Sequence, residues 1–337
     1  MKKILTLLLA LWMLTSSFAM AAGNQLVVGS TTAMSGAFFT DLFGSNTADI
    51  DVRALLHGYN LMSWDHETGT YQINDSVVAG MAVSRDAQNN RVYTFDLYGD
   101  LKFSDGSAIT AKDYAFSILL TASPELAKLG GQSAAVGAIL GMDAYQSGKS
   151  SVLRGVRLLS DTQMSITISK AYEPYFYEMA LFDYSPYPIS VLAPGCKVVD
   201  TEKGVGIVNA GGTGTAIFTA DLLQKTILDA ATGYMSHPSV VSGPYTLTSY
   251  DAQSGTASFA INPYYKGNED GEKPTIETIV YRSVANDEAI DLLLSGEVDL
   301  LNKMVAADTI SKGIQSTADQ PFSVANYPRS GLSMISL

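Results

Sequence analysis

The sequence predicts an α/β protein of more than one domain, and three observations carry that prediction. The chain has 337 residues, 47% of them apolar and 16% charged, enough to bury a large core and too apolar for a disordered chain. Segments with period-two alternation, such as Arg91–Leu97 and Thr256–Ile261, mark strands. Between them lie helix starts, such as Thr110 with Asp113 three residues on, followed by an apolar run.

In chain order, residues 1–21 read as a targeting segment. Lys2 and Lys3 form a basic start, Ile4–Leu14 an apolar run too short to span a bilayer, and Ala19–Met20–Ala21 an Ala-x-Ala cleavage site. The expectation is an exported chain beginning at Ala22, periplasmic or on the outer face of the cytoplasmic membrane. No cysteine stands at the cleavage site to take a lipid. Gln25–Thr31 reads as a strand. The loop Ala33–Thr40 follows, carrying Phe38 and Phe39, for which two readings stand open, a pocket wall or core packing. Asp49–Leu61 reads as a helix with Ile50, Leu55, Leu56 and Tyr59 as its apolar positions. Leu61–Gly99 reads as antiparallel structure, with a turn at Glu67–Thr68–Gly69. After an Asp105–Gly106 turn, Thr110 caps a helix over Ala111–Thr121 that buries Ile118 and Leu119 together with Tyr114 or Ala115.

Ser123–Gly148 is rich in Gly and Ala and partly helical. Val156–Ser169 gives two strands around Ser160–Asp161–Thr162, and Ser185–Pro188 is an extended, Pro-stiffened connection. Val198–Gly214 contains Gly204, Gly206, Gly211, Gly212 and Gly214. No Lys–Ser/Thr pair follows them, which excludes a phosphate loop and leaves a surface loop. Thr219–Leu228 reads as a helix. Ser242–Asn302 is the most informative stretch. Gly243–Pro244 opens a strand over Tyr245–Tyr250, Asp251–Gly255 turns, and Thr256–Ile261 completes a hairpin. Thr275–Tyr281 is a third strand, Asn286 caps a helix that stops at Gly296, and Val298–Leu301 starts a fourth strand. Strand, helix and strand predict a parallel pair with a right-handed crossover.

The formal charge of −12 excludes nucleic acid as a partner, because phosphate contacts need clustered Lys and Arg, and argues against an anionic membrane surface. The single cysteine, Cys196, has no partner for an internal disulfide and reads as a buried thiol. His57, His66 and His237 lack zinc spacing, and there is no G-x-S-x-G, HExxH or C-x-x-C motif. Neither a metal nor a cofactor is expected. A secreted hydrolase with a carboxylate pair invisible in sequence is the alternative to a binding protein.

The succession SGPYTL, INPYYKG, KPTIETIVYRSV and LLSGEVDL resembles the signature of family 5 extracellular solute-binding proteins, the receptors of peptide and nickel ABC importers. Leu101–Tyr114 and Val156–Ser169 resemble further blocks, and Tyr172–Tyr177 resembles the family's helix start after the latter. The resemblance implies an α/β, periplasmic-binding-protein-like fold (type II, cluster C) with two large lobes, a small inserted domain and an incomplete second large lobe, since family members continue beyond the apolar segment Ser330–Leu337. It divides the chain into a signal peptide (1–21), a first large lobe (22–53 and 186–282), a small inserted domain (54–185) and the start of the second large lobe (283–337). It implies a monomer that takes a short peptide or related small solute by hinge closure and delivers it to ABC permease subunits. By position within matching blocks, the implied ligand-binding residues are Ala33, Met34, Ser35, Phe38 and Phe39 after the first strand, Phe116 in the small-domain helix, and Ser242 and Gly243 at the head of the hairpin.

Overall fold

The computed structural model describes residues 24–44, 46–65, 67–132, 137–317 and 322–325. The targeting segment, His66 and the segment Ser330–Leu337 lie outside the described residues. Strand β1 is Gln25–Ser30 and helix α1 Thr47–Leu56. Strands β2 (Met62–Asp65), β3 (Thr70–Ile73), β4 (Val78–Arg85) and β5 (Arg91–Leu97) lead to helix α2 (Ala111–Thr121). The short helices α3 (Pro124–Ala127) and α4 (Met142–Gln146) precede β6 (Val152–Leu153), β7 (Val156–Leu158) and β8 (Gln163–Ile168). Then come α5 (Ile189–Leu192), β9 (Cys196–Thr201), β10 (Gly204–Asn209) and α6 (Ala220–Ile227). The last elements are β11 (Tyr245–Asp251), β12 (Thr256–Ile261), β13 (Thr278–Ser283), α7 (Ala289–Ser295), β14 (Leu300–Asn302) and α8 (Ala307–Thr317).

One sheet runs β11-β12-β13-β1-β14, antiparallel from β11 to β13 and parallel from β13 through β1 to β14. The predicted hairpin and the strand–helix–strand unit are both present. The two strands of that unit do not pair with each other, however, because β1 lies between them. The run Leu26–Val27–Val28 suits a central parallel strand, which must pair on both edges. Gly29 leaves room there: a Cβ would stand 3.0 Å from the Leu301 side chain and 3.1 Å from that of Val298. Helix α1 covers the sheet through Val52 and Leu56, and with Val28, Phe38, Phe259 and Tyr281 they form one core.

A second, larger core surrounds α2. The antiparallel sheet β4-β5-β8-β7 and the three-stranded sheet β6-β10-β9 enclose it, and Tyr114, Ala115, Phe116, Ile118, Leu119 and Leu120 are all fully buried. A helix apolar all round belongs in such a place. Its start is the predicted capping box, with Thr110 accepting from Lys112 N and Asp113 accepting from Thr110 N at 2.8 Å. Leu192, Val198, Val205, Leu223, Ile227 and Tyr234 all belong to this same core.

Several local expectations change. The first helix starts at a capping box of Asn46 and Asp49 and ends at Leu56, not Leu61, and Ile50 faces solvent. His57 turns extended and Tyr59 adopts a left-handed φ of 58°. This bend carries the chain from one core to the other, where Tyr59 stacks on Tyr265 at 5.1 Å. The glycine-rich segment is a hairpin as far as Asn209, and only Gly211, Gly212 and Gly214 lie in the expected surface loop. Gly204 and Gly206 serve close backbone approach, since a Cβ would lie 2.4 Å from the Leu153 carbonyl oxygen and 2.9 Å from that of Ser151. The helix after β13 begins at Ala289 without a side-chain cap, not at Asn286, and ends as predicted at Gly296 with φ 75°. Tyr172–Tyr177 follows one short 3-10 turn (Lys170–Tyr172) and leads into another (Glu178–Phe182) rather than into an α-helix.

Candidate functional site

In open α/β sheets ligands bind outside the carboxyl ends of the strands. Here those ends carry a polar network drawn from separate elements. The Asp51 carboxylate of α1 accepts from the Tyr281 hydroxyl at 2.9 Å, from Asn302 Nδ2 at 2.8 Å and from the Lys303 ammonium. Lys303 itself sits at a left-handed φ of 55°. Beside this network runs the loop after β1. Asn46 Nδ2 donates to the Ala33 carbonyl at 2.9 Å, and the Ser35 N–H and hydroxyl donate to Asp49 at 2.9 and 2.6 Å. The N-terminus of α1 therefore holds this loop in one conformation. Ala33 and Ser35 are exposed, while Met34 is buried against the sheet.

Farther along, the loop divides its side chains between the two cores. Phe38 packs edge-on against Tyr250 at 4.6 Å, and Phe39 against Tyr187 at 4.7 Å and Tyr234 at 4.9 Å. Phe38, Phe39 and Phe116 are all buried. His57 Nε2 is 3.0 Å from the Phe38 carbonyl, where the neutral ring donates its N–H, and burial lowers the His57 pKa to about 4. Ser242 closes the same seam. Its hydroxyl donates to the Gly58 carbonyl at 3.0 Å and accepts from Gly58 N at 3.2 Å.

Gly243 donates its N–H to the Leu56 carbonyl at 2.8 Å. A Cβ there would lie 2.5 Å from the Leu56 carbonyl carbon and 2.6 Å from the Leu55 oxygen. Both are backbone atoms and cannot yield as a side chain does. Gly243→Ala is therefore expected to cost about 2–3 kcal/mol through overpacking, read as a lowered denaturation midpoint. A midpoint equal to the wild type would show that the seam between α1 and β11 is loose.

A cavity of about 240 Å³ opens where the loop after β1, helix α2 and the segment after Phe182 meet. Thr40, Asp41 and Leu42 form one wall, Ser117 and Thr121 a second, and Asp183, Tyr184 and Tyr187 a third. Burial raises the pKa of Asp183, while Asn60 Nδ2, donating at 2.7 Å, lowers it. Burial also pushes the Tyr184 and Tyr187 phenols up to about 12, so both stay neutral hydroxyls. Hydroxyls, carboxyls and an apolar floor of Leu42, Ile139 and Leu181 suit a small polar solute with an apolar part. These residues escaped the sequence reading narrowly: Thr40 and Ser117 directly follow Phe39 and Phe116. Among the described residues, no group of His, Cys, Asp and Glu side chains is placed to hold a metal ion, and no helix is long and apolar enough to cross a membrane.

Comparison with known proteins follows the same line. The family model for bacterial extracellular solute-binding proteins, family 5 Middle, matches residues 76–337. The periplasmic oligopeptide-binding protein OppA of Escherichia coli is 33% identical over 111 residues, covering 32% of this chain and 20% of that protein. The oligopeptide-binding protein OppA of Lactococcus lactis is 27% identical over 233 residues, covering 68% of this chain and 32% of that protein. Among solved structures, lactococcal OppA complexed with an endogenous peptide in the closed conformation superposes with a TM-score of 0.62 at 20% identity, over 88% of this chain and 48% of that one. NikZ of Campylobacter jejuni in complex with Ni(L-His) superposes with a TM-score of 0.55 at 14% identity, over 89% and 46%. At such identities the likeness shows the fold, that of the periplasmic solute-binding proteins, as the sequence predicted. The chain spans less than half the length of these relatives.

Proposed function

Because the chain belongs to the bacterial extracellular solute-binding proteins of family 5, we propose that it is an exported receptor that captures short peptides, or related small solutes, and delivers them as a monomer to the permease of an ABC importer. The observation that carries the peptide reading is that the relatives matched over the longest stretches are oligopeptide-binding proteins. The family is one of binding proteins, which removes the support for a secreted hydrolase. Hinge closure around a ligand is the general mode of two-lobed receptors, and a ligand drives it only through its higher affinity for the closed state.

In this reading the first large lobe would be the mixed sheet with α1, and the pairing of β14 with β1 supports carrying it through β14, beyond the expected start of the second lobe at residue 283. The small domain, expected over 54–185, would then run on to about Tyr234, a reading supported by Leu192, Val198, Val205, Leu223, Ile227 and Tyr234 sharing the core of α2. Ala33 and Ser35 would touch the ligand directly. Met34, Phe38, Phe39, Phe116, Ser242 and Gly243 would form the wall behind them, and the cavity beside Asp183 and Tyr187 would take part of the solute.

Thermal denaturation with defined peptide pools, single amino acids, sugars and nickel–histidine tests this. At a hundred times its dissociation constant a ligand adds about 2.7 kcal/mol of stability. Peptides are expected to raise the melting temperature, and the other solutes to leave it unchanged. Stabilisation by nickel–histidine or a sugar but by no peptide would overturn the peptide reading.

A further inference from the structure

The cavity beside Asp183 and Tyr187 carries charge of one sign. Asp41, on the wall after β1, is exposed, and Asp183, on another wall, is partly buried. None of the described residues that line the cavity is Lys, Arg or His. Both carboxylates act on one group. The Tyr187 phenol is raised first by burial and further by the charges of Asp41 and Asp183, while the hydrogen bond to Ser185 and the charge of Arg53 lower it. Arg53 belongs to α1, where its Nη1 donates to the Ala37 carbonyl at 2.7 Å.

Asp183 is incompletely satisfied. One carboxylate oxygen accepts from Asn60 Nδ2 at 2.7 Å, and the other receives no hydrogen bond from a described residue. Burial raises its pKa, and only that neutral amide opposes the rise. A carboxylate withdrawn from water in this way calls for a cation or further donors. The buried Tyr184 phenol stands close enough to feel the Asp183 charge, and no hydrogen bond joins its hydroxyl to a described residue. The floor of Leu42, Ile139 and Leu181 is apolar. An alkyl stem can lie on such a floor while its charged head stays among polar groups, as the stems of Lys and Arg do. At about 240 Å³ the space is smaller than the pockets of about 300–1,000 Å³ that enclose drug-sized ligands. It suits one side chain rather than a whole peptide.

We propose that this cavity is a cation subsite, in which Asp183 and Asp41 hold an ammonium or guanidinium group of the solute and the apolar floor holds its alkyl stem. The inference rests on the reading of the chain as a receptor for peptides or related small solutes, and narrows it to solutes that carry such a group. A Lys or Arg side chain supplies one, and so does a small free amine. The two carboxylates contribute unequally. Asp183 offers charge-assisted hydrogen bonds away from bulk water, where they are strong. Exposed Asp41 adds an attraction that salt screens.

The test is calorimetric titration of the purified chain with n-butylammonium, n-butylguanidinium and n-butanol, at low and high salt. Two capped tripeptides, acetyl-Ala-Lys-Ala-amide and acetyl-Ala-norleucine-Ala-amide, differ only in the ammonium, and uncapped Ala-Ala-Ala offers a free amine without a basic side chain. Each butyl cation is expected to bind at least about tenfold more tightly than butanol, and the lysyl peptide than the norleucyl one. The preference is expected to survive high salt, since partly buried pairs are screened less than exposed ones. Asp183→Asn, whose amide oxygen can still accept from Asn60, is expected to reduce it to within about threefold, the share left to exposed Asp41. The wild-type comparison stands even if that variant fails to fold. The subsite is overturned if butanol binds as tightly as the cations, if the preference vanishes in salt, or if a folded Asp183→Asn keeps it. Equal binding of the lysyl and norleucyl peptides also overturns it and leaves the peptide reading intact. Binding of the butyl cations but of no peptide supports the subsite and strikes the peptide reading alone. Tighter binding of the lysyl peptide than of Ala-Ala-Ala assigns the cation to a side chain, and the reverse order assigns it to a free amine; both support the subsite.

Discussion

Phe38→Ala and Phe39→Ala are each expected to destabilise the chain by about 3–5 kcal/mol. Both rings are buried, at 0% and 3% accessibility, so each truncation loses the transfer free energy of the ring and leaves a cavity. The two losses fall in different cores. Phe38 belongs with Val28, Leu56 and Phe259 under the mixed sheet, and Phe39 with Tyr59, Tyr234 and the residues around α2. The effects therefore add nearly in full, apart from coupling through the shared backbone. Domains of this kind have only about 5–15 kcal/mol of stability, so the double variant is expected to unfold at temperatures where each single variant still folds. Equilibrium denaturation with urea measures this, and Phe38→Leu with Phe39→Leu should recover most of the loss. Single variants melting within about 2 °C of the wild type would show that neither ring is part of a packed core. The result also decides how binding data are read. Lost affinity in the double alanine variant follows from lost folding, whereas Ala33→Gln, at an exposed position of the same loop whose bond to Asn46 uses only the backbone carbonyl, tests contact with the ligand.

The features legible in the sequence are those whose causes lie within a few residues. Thr110 and Asp113 cap a helix by a spacing of three, and Tyr245–Ile261 folds on itself, so the expected and observed ranges agree almost to the residue. The features that were not legible depend on distant partners. Nothing near Gly204 shows that its missing Cβ makes way for the Leu153 carbonyl, and a run of glycines alone resembles a loop. Nothing between β13 and β14 shows that β1, more than 250 residues upstream, will register Gln25 against Thr278 and separate them. The same limit applies to the candidate site. Asp51 and Lys303 are 252 positions apart, and each alone is an ordinary charged residue. The loop Ala33–Phe39 is singled out only through the resemblance of its neighbours to the family's pattern. The side chains that line the cavity, Asp183 and Tyr187 among them, occupy an extended connection whose sequence promises only stiffness. Function was legible at the level of the family, because blocks in order along the chain carry that information.

Acidification provides a second large effect, with His57 as its source. The ring lies at the bend that joins the two cores, edge-on to Phe39 at 5.9 Å and beside Tyr234, with the Phe38 carbonyl as its acceptor. Burial is the main cause of its lowered pKa, the Arg53 charge adds to it, and the hydrogen bond to Phe38 opposes it. A histidine whose folded pKa lies below its unfolded value binds fewer protons when folded. Its contribution is therefore fully present above the unfolded value of 6.5 and is lost as pH falls towards the folded value of about 4. Below that, both states carry the proton and no further loss follows. The gap corresponds to about 3 kcal/mol. The carboxyl of Asp113 acts in the opposite direction: burial raises its pKa to about 6, so the folded state takes up a proton earlier and gains relative stability over part of the same range. The wild-type curve mixes both terms, and the comparison that isolates histidine is with His57→Gln, whose amide reaches the position of Nε2 and can donate to the same carbonyl. The stability difference between wild type and variant is expected to move by about 3 kcal/mol between pH 7 and pH 4, against the wild type at the acidic end. Parallel stability curves over that interval would mean that His57 titrates in the folded protein as it does in water, and that the bend between the two cores admits solvent to the ring.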